Sequence, residues 1–135
     1  MRPIDDPEFW RKRIKVYGNY RDAVWAGAGD AGWDALTKQH TKELRHLIAT
    51  NESILDVGCG YGRLLDVLPE RWRGKYTGID VSPHFIDQAK LLYPLHHFIC
   101  GDLCTALQPL DDGEFDVAIC CMFWELCRDL SLIHI

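Results

Sequence analysis

The 135 residues are 47% hydrophobic and 26% charged, with a formal net charge of −5, a composition that fits one globular domain able to bury a sizeable core. The acidic balance excludes a broad nucleic-acid surface, because Arg11, Lys12, Arg13 and Lys15, and further on Arg71, Arg73 and Lys75, form only local clusters of the solvated kind. No run reaches bilayer-spanning length and Met1-Arg2-Pro3-Ile4-Asp5-Asp6 lacks an apolar secretory core, so a soluble, cytoplasmic protein without a membrane partner is expected.

In chain order, Asp6-Pro7 opens a helix that should end near Gly18. An aromatic, glycine-rich connection follows, with Tyr17, Tyr20 and Arg21 as candidates for facing a site. A second helix is expected from about Trp33 to Ala49, placing Trp33, Leu36, Leu44, Leu47 and Ile48 on one apolar face. Trp10 and Trp33 read as packing residues, and His40, beside that stripe, as a packing histidine rather than a base. Ile54-Leu55-Asp56-Val57 is an apolar strand running into Gly58-Cys59-Gly60-Tyr61-Gly62, after which Leu64, Leu65, Val67 and Leu68 fall at helical spacing. Alternating glycines let the backbone take positive φ and bring bare amides close to a ligand. Such a turn, where a strand hands over to a helix, is where α/β sheets bind ligands.

Tyr76-Thr77-Gly78-Ile79-Asp80 is the second strand, and Ser82-Pro83 reads as a helix N-cap and first helical residue. His97-Phe98-Ile99-Cys100 is the third strand, with His96 and His97 at its start, followed by Asp102, which doubles as an Asx-turn former. Phe115-Asp116-Val117-Ala118-Ile119-Cys120-Cys121 is the fourth, with Asp116 structural. The six cysteines lack the paired spacing of a zinc site and read as free thiols; no metal is expected.

Two ligand types compete for the glycine turn. A dinucleotide fingerprint is G-x-G-x-x-G, and here the third glycine arrives one residue early. Asp56 also opposes a pyrophosphate and favours a cation. Asp56-Val57-Gly58-Cys59-Gly60-Tyr61-Gly62 resembles the first motif of class I S-adenosylmethionine-dependent methyltransferases, an acid followed by G-x-G-x-G, and the acids Asp80 and Asp102 and the Phe115-Asp116 strand opening match the later motifs in order. The resemblance covers residues 54–121. It implies an α/β, Rossmann-like three-layer α/β/α sandwich with a parallel sheet. Strand order 3-2-1-4 would be present here, out of 3-2-1-4-5-7-6 in the family, with the C-terminal half of the family fold missing. Residues 1–50 would form a helical cover or lid, and 51–135 a partial S-adenosylmethionine-binding domain.

The same resemblance implies the residue roles. Asp80 would accept from both ribose hydroxyls, Asp102 from the adenine amine, the Leu103 amide would meet the ring and Val81 would pack on its face. The methionine half would lie over Gly58, Cys59 and Gly60, with Asp56 toward its ammonium and Cys121, beside Cys120, below. Methyl transfer needs chiefly in-line positioning, and no residue is assigned as a general base. Many relatives carry a histidine shortly after strand four, where Met122-Phe123-Trp124-Glu125-Leu126 has none. The expected acceptor is a small molecule or a protein. The exposed edge of strand four is a candidate surface for a partner or for self-association. Two alternatives stay open: a non-catalytic, truncated cofactor-binding remnant, and an NAD-dependent oxidoreductase.

Overall fold

The computed structural model describes residues 6–25 and 29–120. Helix α1 (Pro7–Tyr17) begins at Asp6, whose side chain accepts from the Glu8 amide at 2.9 Å, and ends at Gly18 in the left-handed conformation with its N–H on the Ile14 carbonyl. Both ends are those the sequence predicts. The connection that follows is not all loop. Asn19 caps a short helix α2 (Tyr20–Val24) by accepting from the Asp22 amide at 2.8 Å, and the Asn19/Asp22 spacing is a local capping signal.

Helix α3 (Gly29–Leu47) starts four residues earlier than expected and ends two earlier. Trp33 and Leu44 are buried on it, but Leu47 is 71% exposed. The helix stops at Leu47, and it is Ile48, already outside it, that enters the core. The next elements are β1 (Ile54–Val57), α4 (Leu64–Val67), β2 (Tyr76–Asp80), α5 (Pro83–Leu92), β3 (His97–Cys100), α6 (Leu103–Leu107) and β4 (Val117–Ile119). Helix α4 is a single turn because Leu68 precedes Pro69 and is extended, with ψ 148°, as the proline ring requires of its predecessor. In α5, Ser82 is the N-cap and Pro83 the first residue, as the sequence predicts.

The four strands form one parallel sheet in the order β3-β2-β1-β4, with Ile54 opposite Tyr76 and Val117, and Thr77 opposite His97. β4 is shorter than its apolar run. Its pairing starts level with Ile54, and Asp116 instead takes the Ser53 amide and hydroxyl at 2.7 and 2.8 Å, the structural role expected of it. Among the described residues β4 has a strand neighbour on one side only.

Strand alternation splits the interior in two. On one face Ile54, Tyr76 and Phe98 meet Leu44 and Ile48 and helices α4 and α5; on the other, Leu55, Val57 and Ile79 meet Ala106 of α6. The N-terminal segment therefore contributes to the same core as the sheet. Gly78 is fixed by packing, since a Cβ there would stand 2.7 Å from the Cys59 sulfur and 3.0 Å from the Phe98 ring. Among the described residues no helix is long and apolar enough to cross a membrane.

Candidate functional site

The C-terminal ends of β1 and β2 are stitched together by the glycine turn. The amides of Gly58 and Cys59 both donate to the Ile79 carbonyl, at 2.8 and 2.9 Å, and the amide of Gly60 donates to Oδ2 of Asp80 at 2.8 Å. The other oxygen of Asp80 accepts from the Ser82 amide at 2.9 Å. Gly58, Gly60 and Gly62 have φ of 72°, 56° and 87°, values that a side chain rarely tolerates. A Cβ on Gly60 would meet nothing within 4 Å, so the turn leaves room for a ligand against its backbone, whereas one on Gly62 would press on the Tyr93 ring.

Two carboxylates serve this turn in different ways. Asp80 is pushed up to about 6 by burial, held back by the Ser82 and Gly60 amides. It is ionised at neutral pH and retains lone pairs for further donors. Asp56 is 2% exposed and is pushed up to about 7 by burial; the hydrogen bond from the Tyr76 hydroxyl, at 2.6 Å, opposes that shift, and the Asp80 charge adds to it. Cys59 is buried, and burial holds its thiol well above the usual range, so it is a packing residue and not a nucleophile.

The other predicted residues are placed as follows. Val81 is half-buried just past the β2 tip. Asp102 is exposed and caps α6 by accepting from the Thr105 amide at 3.1 Å, with Leu103, half-buried, as the first helical residue. Its cap bond engages Oδ1 and leaves acceptor capacity on the carboxylate. Cys120 is half-buried beyond β4. Cys121 and the Met122–Leu126 stretch lie outside the described residues.

The sequence did not single out the aromatic hub over the turn. Phe85, 2% exposed, has Trp10 at 5.5 Å, Tyr20 at 5.9 Å and Tyr61 at 6.4 Å between ring centroids. Through it α1 and α2 rest on α5 and the glycine turn. Arg21 and Arg63 both lie over the Trp33 ring, at 5.4 and 4.9 Å, and Arg63 also reaches His40 Nδ1 at 3.2 Å, a packing role for this histidine. A cleft of about 320 Å³ opens here, lined among others by Tyr20, Arg21, Asp30, Tyr61 and Gln88. Tyr20 and Arg21 thus flank the turn, while Tyr17 is 40% exposed under Arg13. No cluster fit to hold a metal is present among the described residues.

An open glycine and a carboxylate at the β2 tip suit an adenosyl ligand, and the second, buried acid Asp56 beside the turn favours an adenosyl amino acid over a dinucleotide, whose pyrophosphate it would oppose. Comparison with known proteins agrees. A family described as "Methyltransferase domain" matches residues 54–133. Malonyl-[acyl-carrier protein] O-methyltransferase of Serratia marcescens is 32% identical over 79 residues, 58% of this chain and 30% of the enzyme. A tRNA U34 carboxymethyltransferase of Shewanella putrefaciens is 31% identical over 120 residues, 82% of this chain and 33% of that protein. The fold matches a TehB-like SAM-dependent methyltransferase of Corynebacterium glutamicum with a TM-score of 0.51 at 23% identity, over 85% of this chain and 55% of the other. The chain thus spans about a third of the length of the curated relatives it matches. It belongs to the methyltransferase domain family, the S-adenosylmethionine-dependent methyltransferases of Rossmann-like fold.

Proposed function

We propose that this chain carries the S-adenosylmethionine-binding part of a methyltransferase acting on a small-molecule or protein-borne acceptor. The observation that carries the reading is Asp80. Its carboxylate is pinned by the Gly60 and Ser82 amides at the β2 tip, so it is oriented before any ligand arrives, and a carboxylate suits two adjacent hydroxyl donors such as a ribose diol. The open backbone of Gly60 would take the methionine half, with Gly58, Cys59 and Asp56 beneath. Val81, Asp102 and the Leu103 amide would hold the adenine.

When bound, the cofactor supplies a methyl group activated by its sulfonium. The chain's part is to bind, to orient and to exclude water. The described part of the 1–50 segment would act as the cover, since Tyr20 and Trp10 reach the turn through Phe85. The net charge of −5 supports an acceptor other than a long nucleic acid, although several relatives, the tRNA U34 carboxymethyltransferases of Shewanella, are named for tRNA. Among the described residues β4 has no strand on its outer side, which supports a partner or self-association at this edge.

Asp80→Ala is the test. Calorimetric titration with S-adenosylmethionine should give an affinity about ten- to a hundredfold weaker for the variant, as for the loss of one or two hydrogen bonds to a charged acceptor. An unchanged affinity would remove Asp80 from the site, and preferential binding of NADH would favour an oxidoreductase.

A further inference from the structure

The buried pair Asp56–Tyr76 is not explained by folding alone. Asp56 sits one residue before the end of β1, two before the first glycine of the turn, and shares its face of the sheet with Ile54. That face is otherwise apolar: Leu44 and Ile48 from the N-terminal segment, Leu64 and Val67 of α4, Ile86 and Ala89 of α5, and Phe98 of β3. A carboxylate there costs free energy unless it is hydrogen-bonded and paired. Its hydrogen-bond donor comes from the next strand. Tyr76 stands opposite Ile54, two positions up the ladder from Gly78, the register partner of Asp56, so its ring runs along the sheet and its hydroxyl reaches Oδ2 at 2.6 Å. The ring is locked by His96 and Phe98, both with centroids at 5.7 Å. The remaining ionisable neighbours of the pair are Asp80, Cys59 and Tyr93. None is a cation, and among the described residues no ion pair includes Asp56.

We propose that Tyr76 is a positioning residue for the cofactor: by donating to Oδ2 of Asp56 from the neighbouring strand, it holds that carboxylate under the glycine turn as the counter-charge for the ammonium end of S-adenosylmethionine. The proposal rests on the cofactor reading above. An anion in an apolar layer is strongly favoured by an incoming cation, and a neutral donor fixes its orientation without neutralising it in advance, as an arginine or lysine would. The arrangement makes affinity depend on pH. Burial raises Asp56 to about 7 while the Tyr76 bond pulls it down. Below that point binding must expel a proton, so affinity should climb as pH rises toward neutrality. Removing the Tyr76 hydroxyl should move the climb to higher pH.

The test compares the full chain with its Tyr76→Phe variant by calorimetry from pH 5.5 to 7.5, a window in which the ligand's own ammonium stays largely protonated. Two probes are used, S-adenosylmethionine and 5′-methylthioadenosine, which keeps the nucleoside and lacks the amino-acid end. The variant should bind S-adenosylmethionine about tenfold more weakly near pH 6, with the gap narrowing by pH 7.5, as expected for one hydrogen bond to a charged group. It should bind 5′-methylthioadenosine as the parent chain does. Equal weakening for both probes would mean a merely structural role, and an unshifted pH profile for S-adenosylmethionine would also overturn the proposal. If a folded chain binds neither probe, the cofactor reading fails with it. Should the phenylalanine variant not fold, Asp56→Asn decides: it should flatten the pH dependence for S-adenosylmethionine and spare 5′-methylthioadenosine, and a retained pH dependence would contradict the proposal.

Discussion

Phe85→Ala is expected to destabilise the chain by about 3–5 kcal/mol, the range for emptying a buried aromatic site. Phe85 is 2% exposed and carries contacts from three directions: Trp10 of α1, Tyr20 of α2 and Tyr61 of the glycine turn. Each aromatic pair adds to the loss from buried area alone. The effect should therefore not stop at stability. With Phe85 gone, α1 and α2 lose their seat on α5, and Tyr61 loses the ring that backs it. Urea denaturation should show a lower midpoint, and hydrogen exchange should show faster opening of α1 and α2 than of β1 and β2. A loss below about 1 kcal/mol, or equal protection of α1 and the sheet, would mean that the N-terminal helices are held elsewhere.

In the absence of ligand, the chain should lose stability as pH rises from 5 to 8, and Asp56→Asn should remove much of that loss. Burial raises Asp56 to about 7 and Asp80 to about 6, from an ordinary 3.8. Between the ordinary and the raised values the folded chain binds more protons than the unfolded one. The stability these groups contribute is thus full at low pH and is lost as pH climbs through 6 and 7. For Asp56 alone the change from pH 5 to 8 is on the order of 2–3 kcal/mol. His40 and His96 act in the opposite sense, since burial lowers both and favours their neutral forms. For that reason the informative quantity is the difference between the parent and the asparagine variant. The two should melt alike at pH 5, and the variant should melt higher at pH 8; a difference that stays flat with pH would contradict the assignment. S-adenosylmethionine should narrow the gap at pH 8 by stabilising the parent preferentially.

Much of this fold was legible in the sequence because its signals are local. Asp6-Pro7, Ser82-Pro83 and Gly18 set helix ends by capping chemistry confined to a few residues. The apolar strands and the three glycines announce themselves in the same way, and with the acids that follow them they carry the family resemblance that implied the sheet order. What escaped depends on contacts between distant segments. The Asp56–Tyr76 bond needs the parallel register of β1 on β2 before it can be seen. Phe85 looks like any apolar helix residue until three aromatic rings from elsewhere close on it. Leu47 fits the apolar stripe of its helix by periodicity, but the helix ends there and Ile48 takes the buried place. Helix α2 was legible in principle from Asn19 and Asp22, yet the glycines and aromatics around it pointed to a loop. The proposed cofactor residues lie on both sides of this divide. Asp80 is a candidate through its place in the family's ordered motifs, whereas its clasp by the Gly60 and Ser82 amides appears only in three dimensions.

The central claim, that the glycine turn and the β2 tip form the seat of S-adenosylmethionine, is tested most directly by mapping backbone amide shifts during a titration of the isotope-labelled chain. The amides of Gly58, Gly60, Val81 and Leu103 should move together and saturate with one affinity, with Asp80→Ala weakening all four. A folded chain in which these amides stay still, or in which the shifts gather at residues remote from the turn, would contradict the account.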